Sequence, residues 1–263
     1  MSASLTLVVS IVVYESDITQ LRDTINALDG QCDSMQIYVV DNASNPDYRA
    51  QLDEFSDRVI LIDAPRNGGF GYGHNIAMLH SQTAEFFLCL NPDAMMHKKA
   101  VHQLIDFLRC HPQAGIAVPK VFYPDGRLQP LNKRHPTILD LTLRLLCPPA
   151  LTRIDKIKRR LAYYSMLDKG YDTSYTVPFA SGCCMMFRRS CLLRLGGFDE
   201  RFFLYFEDAD ITRRMNMMAE SWFCPDAHIT HAWQRASRSS KKLMWIMMKS
   251  AARYFSKWGV ALW

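Results

Sequence analysis

The chain has 263 residues, 49% of them hydrophobic and 22% charged, which is ample for a substantial α/β core. A formal net charge of +5 is too mild to mark a nucleic-acid binder, which needs a concentrated basic stripe interleaved with aromatics. Eight cysteines show no CxxC spacing and several sit inside apolar runs, the usage expected of a reducing compartment.

Leu5 to Tyr14 is a β-branched run without alternation, as in a strand buried on both faces of a parallel sheet. With Met1 to Ser4 it lacks the basic n-region and cleavage site of a signal and is too short to span a membrane, so a cytosolic protein is expected. Asp17 is placed to cap a helix carrying Ile18, Leu21, Ile25 and Leu28 at helical spacing. A second strand, Gln36 to Val40, runs into the turn-rich Asp41-Asn42-Ala43-Ser44-Asn45-Pro46 and another helix. A third, Val59 to Ile62, leads to the glycine-rich stretch Asn67 to Asn75 and a helix to about Ser81; a fourth, Phe86 to Leu90, ends at Asn91-Pro92-Asp93. Strands alternating with helices predict right-handed crossovers and a doubly wound, mostly parallel sheet, whose ligands bind beyond the carboxyl ends of the strands. The polar motifs fall at those ends.

Beyond Gly115 to Val118 the rhythm changes. Tyr123 to Arg127 reads as a hairpin turn, and Pro130 to Tyr175 as a basic, proline-interrupted insert with helical pieces. Order returns with Val177 to Phe187, Gly196-Gly197-Phe198-Asp199, a helix from Glu207 to Ala219, a strand near Trp222 to Cys224 and a C-terminal helix. That helix puts Met244, Met247, Ala251, Tyr254 and Trp258 on one stripe and Lys242, Lys249, Arg253 and Lys257 opposite. It can pack on the core or lie on an anionic membrane. The apolar half disfavours nucleic acid.

Asp93, after a strand, offers a hard divalent cation the anionic oxygen it needs while leaving positions for phosphate and water; the plain alternative is a helix cap. The four glycines between Gly68 and Gly73 permit close backbone approach to a ligand and open a helix whose amides can face an anion, but they match neither the P-loop nor the dinucleotide fingerprint. Glu207, Asp208 and Asp210 crowd a helix start, either complementing its dipole or supplying a general base toward an alcohol, with Glu207 and Asp210 on one face and Asp208 elsewhere. His228 and His231, each taken singly, are more readily structural than functional, though a neutral imidazole could complete a metal shell with Asp93 or contact phosphate. Arg235, Ser237 and Arg238 offer donors to a diphosphate, or form a solvated basic loop.

Taken in order, Ser10 to Tyr14, Asp41 to Ser44, Asn67 to Asn75, Leu90 to Asp93, Gly197 to Glu200 and Phe206 to Asp210, with the histidine before Ser237, resemble the inverting family-2 glycosyltransferases of the GT-A fold, in particular bacterial rhamnosyltransferases. The resemblance implies one domain over 1–263: a nucleotide-sugar half at 1–118, an acceptor-binding and catalytic half at 119–237 and an amphipathic helix at 238–263. It implies that Val13, Tyr14 and Glu15 line the nucleotide pocket and Asp41 contacts the pyrimidine. It extends the donor set to Asn42, Asn67, Gly69, Phe70, Gly71, Asn75, Asn91, Asp93, Arg235 and Ser237. Asp93 corresponds to the second acid of the DXD motif, and Asn91 replaces the first. Mg2+ or Mn2+ would then rest on Asp93 with His231. Asp208, paired with Glu207, would be the base.

The implied reaction carries L-rhamnose from dTDP-L-rhamnose to a saccharide or polyprenyl-diphosphate-linked acceptor at the inner membrane face, with UDP-hexose and UDP-galactofuranose as open alternatives. Two other classes compete. A sugar-phosphate nucleotidyltransferase should carry a basic glycine-rich loop where Tyr14-Glu15-Ser16-Asp17 stands, and a non-catalytic sugar-binding module should not need Asp93 and Asp208.

Overall fold

In a computed structural model describing residues 5–81, 83–148, 151–232 and 240–262, the first half of the chain follows the expected alternation. Strand β1 (Leu5–Val13) is flanked by β2 (Met35–Asp41) and β4 (Ala84–Leu90), with β3 (Ile60–Asp63) outside β2, and all their pairings are parallel. Val8 and Val9 point to opposite faces and are both fully buried, which is why the run carries no alternation. One face packs on α1 (Ile18–Asn26), α2 (Pro46–Gln51) and α4 (Ala100–Cys110). The other packs on α3 (Phe70–His80), α7 (Arg189–Leu195) and α8 (Glu207–Met215). Asp17 caps α1 as expected, accepting from the Thr19 and Gln20 N–H groups.

The second half extends the sheet. Strand β8 (Cys184–Arg188) lies antiparallel between β4 and β6 (Ala114–Phe122), and β9 (Glu220–His231) runs parallel to β6. Two short strands, β5 (Ala94–Met96) and β7 (Tyr175–Thr176), pair antiparallel with β9. The order β3-β2-β1-β4-β8-β6-β9-β5 places the carboxyl ends of β1, β2 and β4 beside the start of β8. The strand expected near Trp222 to Cys224 runs instead over the 12 residues Glu220–His231, because a register shift between Pro119 and Lys120 accommodates Pro225 and lets β9 run on to His231.

The insert folds into α5 (Ile138–Leu146) and α6 (Asp155–Tyr164). A capping box between Thr137 and Asp140 starts α5, and Arg160 of α6 bonds the buried Asp140 carboxylate at 2.7 Å. Helix α9 (Lys241–Trp258) buries Ala251, Tyr254 and Phe255 against Phe179, Phe202 and Phe206. The expected cationic stripe divides. Lys257 turns in to Asp199 and Asp210 at 2.8 Å and Arg253 bonds the Arg201 carbonyl, while Lys241, Lys242 and Lys249 stay exposed.

Helix α8 stops at Met215, short of the expected Ala219. Asn216 ends it, donating to the Val177 carbonyl at 3.0 Å and accepting the Ser221 N–H at 2.8 Å.

Candidate active site

The ends of β1 and β2 are tied into one crevice. The Asn42 N–H donates to the Val13 carbonyl at 2.9 Å, and the Glu15 N–H donates to Ser44 Oγ at 3.0 Å while Asn45 reaches the Glu15 carboxylate at 2.9 Å. Glu15 sits in the left-handed region at φ +49°. Buried Asp41 accepts from the Ser44 N–H and hydroxyl, which fixes its carboxylate at the carboxyl end of β2. Tyr14 stays exposed beside it. Asn42 donates to the Gly69 carbonyl at 2.9 Å, joining this crevice to the glycine-rich stretch. The side-chain Oδ1 of Asn42 is buried without a partner.

That stretch is more helical than expected, since α3 begins at Phe70 and includes Gly71 and Gly73. Added β-carbons there would meet Phe198 and Val12 side chains at 2.6 Å, so these glycines let α3 lie flat on β1 and on the 197–200 loop. Gly69 has φ +92°, and a β-carbon on it would overlap the Phe203 carbonyl oxygen. Asn67 accepts the Gly69 N–H, and the Phe70 N–H donates to Phe203 O at 3.0 Å. Asn75 spends its amide on the protein: it donates to the Phe198 carbonyl and the Glu200 carboxylate, both at 2.9 Å, and accepts the Phe198 N–H at 2.8 Å. Asn75, Phe70 and Gly71, expected at the donor, are engaged with the 197–200 segment in this structure. The first amide of α3 is occupied and does not face outward.

The Asn91-Pro92-Asp93 turn is anchored on both sides. Asn91 N–H donates to the Cys183 carbonyl at 2.9 Å, and Thr24 of α1 donates to the Pro92 carbonyl at 2.9 Å. Pairing of Ala94 with His231 brings the end of β9 alongside. His231 is buried, and its Nδ1–H donates to Gln129 Oε1 at 2.9 Å, which leaves the Nε2 lone pair facing Asp93 Oδ1 at 3.3 Å and the Asn91 amide at 3.4 Å. Two electron-pair donors opposed at this distance are relieved by a proton or a cation between them. Among the described residues no cluster of three or more His, Cys, Asp or Glu gathers to hold a metal ion. The pair therefore suits a hard cation that draws its remaining ligands from phosphate and water. His228 is elsewhere: its Nε2 meets the Pro225 carbonyl at 2.9 Å and its ring packs on Phe122.

Tyr205 and Phe206, both at φ +68°, turn the chain sharply into α8 and are held there by packing of Phe206 on Tyr254. Asp208 accepts the Gly182 N–H at 3.1 Å and the Ala209 N–H at 2.9 Å. Burial pushes its carboxyl up, and the Lys133 ammonium and these N–H groups oppose the rise. Glu207 is pushed well up, first by burial and then by Asp208, and its Oε2 has no partner. Of this pair Glu207 is shifted further toward its neutral form, by burial and by the neighbouring Asp208 charge. Both line one cavity, contrary to the expectation that Glu207 faces away with Asp210, because the cavity wraps the first turn of α8. Asp210 instead accepts from Arg214 and Trp258 at 2.8 Å, fastening α8 to α9.

The cavity, about 440 Å³, also reaches His231, Gln129, Lys133 and Ser181. Burial and Arg144 lower the Lys133 amine to about 8. Gln129, Lys133 and Gly182 have no motif that marks them. Their roles come from the approach of the insert to β8, which no local spacing encodes. Arg235 and Ser237 lie outside the described residues.

The sequence profile described as Glycosyl transferase family 2 matches residues 8–196. The N-acetylglucosaminyl-diphospho-decaprenol L-rhamnosyltransferase of Mycobacterium tuberculosis is 26% identical over 208 residues, 75% of this chain. The match spans 66% of that relative, just under two thirds of its length. Rhamnosyltransferase WbbL of Escherichia coli K12 is 25% identical over 257 residues, 93% of this chain and 89% of its own. Among solved structures, GalNAc-T7 with UDP, GalNAc and Mn2+ superposes with a TM-score of 0.68 at 16% identity, over 98% of this chain and 49% of the other. The mannosyltransferase PcManGT of Pyrobaculum calidifontis, with GDP-Man and Mn2+, gives 0.61 at 15% identity, over 99% and 77%. At such identities the likeness establishes the shared fold, the mixed α/β GT-A arrangement implied by the sequence motifs.

Proposed function

Since the chain belongs to glycosyl transferase family 2, we propose that it is an inverting glycosyltransferase carrying L-rhamnose from dTDP-L-rhamnose to a saccharide or polyprenyl-diphosphate-linked saccharide in bacterial surface-polysaccharide assembly. The observation that carries the reading is the placement of Asp208 across β8 from the Asn91-Pro92-Asp93 turn. Gly182 holds the carboxylate and its neighbour Cys183 holds the turn. The rhamnosyl choice draws on the names of the two rhamnosyltransferase relatives.

In this mechanism the crevice of Val13, Tyr14, Glu15, Asp41 and Asn42 takes the nucleotide, with Asp41 toward the pyrimidine. Asp93 and His231 are the residues that would hold a divalent cation, Mg2+ or Mn2+. When bound, the cation supplies charge neutralisation at the leaving diphosphate. Asp208 takes the proton of the acceptor hydroxyl as its oxygen attacks the anomeric carbon. The bond from that carbon to the diphosphate oxygen breaks on the opposite side, its electron pair leaves with dTDP, and configuration inverts. Glu207, protonated, adds no second negative charge beside the base.

Exposed Trp245 (66%) and Met248 (55%), beside Lys241, Lys242 and Lys249, support peripheral contact of α9 with an anionic membrane face. No helix among the described residues is long and apolar enough to cross a membrane. The test of the activity is nucleoside diphosphate release from a panel of dTDP-, UDP- and GDP-sugars with Mn2+. Release from dTDP-L-rhamnose supports the donor assignment, and preference for a UDP-sugar replaces it.

A further inference from the structure

The helix that carries Asp208 starts without a side-chain cap. Its N-cap residue is Phe206, whose ring can make no capping bond to the first amides of α8. Tyr205 and Phe206 are moreover two consecutive non-glycine residues in the left-handed region, at φ +68°. Such backbone is unfavourable for residues with a β-carbon and persists where the surroundings over-determine it. From this start Asp208 reaches out of its own turn to accept the Gly182 N–H at 3.1 Å, a bond that a small rotation of α8 breaks. What over-determines the start of α8 therefore also aims Asp208.

Helix α9 supplies that hold from one face, on which Ser250, Tyr254, Lys257 and Trp258 recur at helical spacing. Before the base, Ser250 is 3% exposed and donates its hydroxyl to the Leu204 carbonyl at 2.9 Å, and Tyr254 packs on Phe206. After the base, Asp210 is 0% exposed and uses both carboxylate oxygens. Oδ1 accepts from Lys257 Nζ and from Trp258 Nε1, and Oδ2 accepts from Arg214, each at 2.8 Å. Arg213 adds a bond to the Tyr254 hydroxyl at 3.2 Å and lies over the Trp258 ring. The grip thus falls on Leu204, Phe206 and Asp210, on either side of Asp208. A buried charge cluster of this kind adds little stability over an apolar contact. Its effect is directional, since donors converging on Asp210 fix the rotation of α8 about its axis, and Asp208 turns with it.

We propose that Ser250, Lys257 and Trp258 of α9 are positioning residues for the base: acting through the Leu204 carbonyl and Asp210, they set the rotation of α8 at which the Asp208 carboxylate meets Gly182. The inference rests on the reading of Asp208 as the base and adds the part of the chain that aims it. The C-terminal helix, which carries none of the site's motifs, becomes part of the catalytic arrangement without touching substrate. Trp245 and Met248 lie on the opposite face of α9, so this role leaves its exposed face free.

The test compares nucleoside diphosphate release by full-length wild type and variants, with Mn2+ and whichever dTDP-, UDP- or GDP-sugar the wild type turns over. Ser250→Ala and Trp258→Phe each delete one hydrogen bond with little change of volume, whereas Lys257→Met deletes a charge that Lys257→Arg keeps. Trp258→Phe and Lys257→Met are each expected to lower kcat at least about tenfold, and Ser250→Ala about threefold, with the donor KM held within about twofold; a misplacement of about 1 Å can cost roughly 10²-fold. Lys257→Arg is expected to recover most of the loss. In an Asp208→Asn background Trp258→Phe is expected to cost less than about twofold, because no base is left to aim. Equal losses with and without the Asp208 carboxylate overturn the proposal, since a merely structural role gives them. So does undiminished kcat in Trp258→Phe and Lys257→Met, or a loss confined to the donor KM. Should Lys257→Met not fold, Trp258→Phe and its cycle with Asp208→Asn decide alone. Failure of the levels beneath is told apart: no release from any donor by wild type defeats the glycosyltransferase reading, and undiminished release by Asp208→Asn defeats the base.

Discussion

The Gly182 N–H donates to Asp208 Oδ2 at 3.1 Å, and the next residue, Cys183, accepts the Asn91 N–H at 2.9 Å. Two adjacent residues at the mouth of β8 therefore set the spacing between the proposed base and the proposed metal-binding turn. Neither element approaches the other in sequence. Their registry is a property of the antiparallel join between β4 and β8.

Asp208 is raised by burial and held down by Lys133 and backbone N–H groups. Turnover should therefore rise with pH along a limb centred above the ordinary aspartate value of about 3.9. Lys133→Met removes the attraction and should move that limb to higher pH, with nucleotide affinity unchanged. A pH profile of kcat that Lys133→Met leaves in place would separate Lys133 from the base.

Glu207 affects stability in the opposite sense to a salt-bridged acid. Its folded-state pKa lies well above the unfolded value because the charged form is buried. The stability linked to its neutral form is complete below the unfolded pKa of about 4.3 and is lost as pH rises toward the folded pKa. Glu207→Gln should consequently gain Tm relative to wild type as pH increases from about 5 to about 9. Thermal melts across that range check it, and a Tm difference independent of pH would assign the proton differently.

Gln129 fixes the tautomer of His231 by accepting from Nδ1. Gln129→Ala should weaken Mn2+-supported nucleotide binding by about 10–100-fold, the range for residues that orient a metal-binding histidine. Binding of the nucleotide without metal should change little. Titrations with Mn2+ and with EDTA distinguish this from a general loss of the site.

Gly69 joins the proposed nucleotide crevice to α3 at φ +92°, with the Phe203 carbonyl where a side chain would begin. Gly69→Ala should cost about 3 kcal/mol of unfolding free energy, from backbone strain and displacement of Phe203. Urea unfolding measures it. Gly30→Ala, whose added β-carbon meets nothing within 4 Å, bears only the strain of φ +67° and should cost less.

Three of the four parallel strands, β1, β2 and β4, are readable because burial on both faces forces unbroken Val, Ile, Leu and Phe runs. Helix α4 has Val101, Leu104, Ile105 and Leu108 buried at helical spacing, a periodic signal that no chemical motif accompanies. The full length of β9 is hidden by Pro225, which only the register shift against β6 makes tolerable. At the site, Asp93, Asp208 and His231 stand out as polar residues next to apolar runs. Gln129 and Lys133 do not, because their neighbours are brought in from β9, α8 and the Val177 to Gly182 segment. The glycine-rich stretch misleads in an instructive way. Small residues serve close helix-to-strand packing as readily as close approach to a phosphate, and here Gly71 and Gly73 do the former.

Asp208 is proposed here as the base of a sugar transfer from a nucleotide donor. The direct measurement is nucleoside diphosphate released from dTDP-L-rhamnose with Mn2+ by wild type and by Asp208→Asn, with dTDP affinity titrated for both. Release by wild type, a fall of roughly 10²–10⁴-fold in the variant, and equal dTDP affinity are expected. Undiminished release by Asp208→Asn would contradict that role.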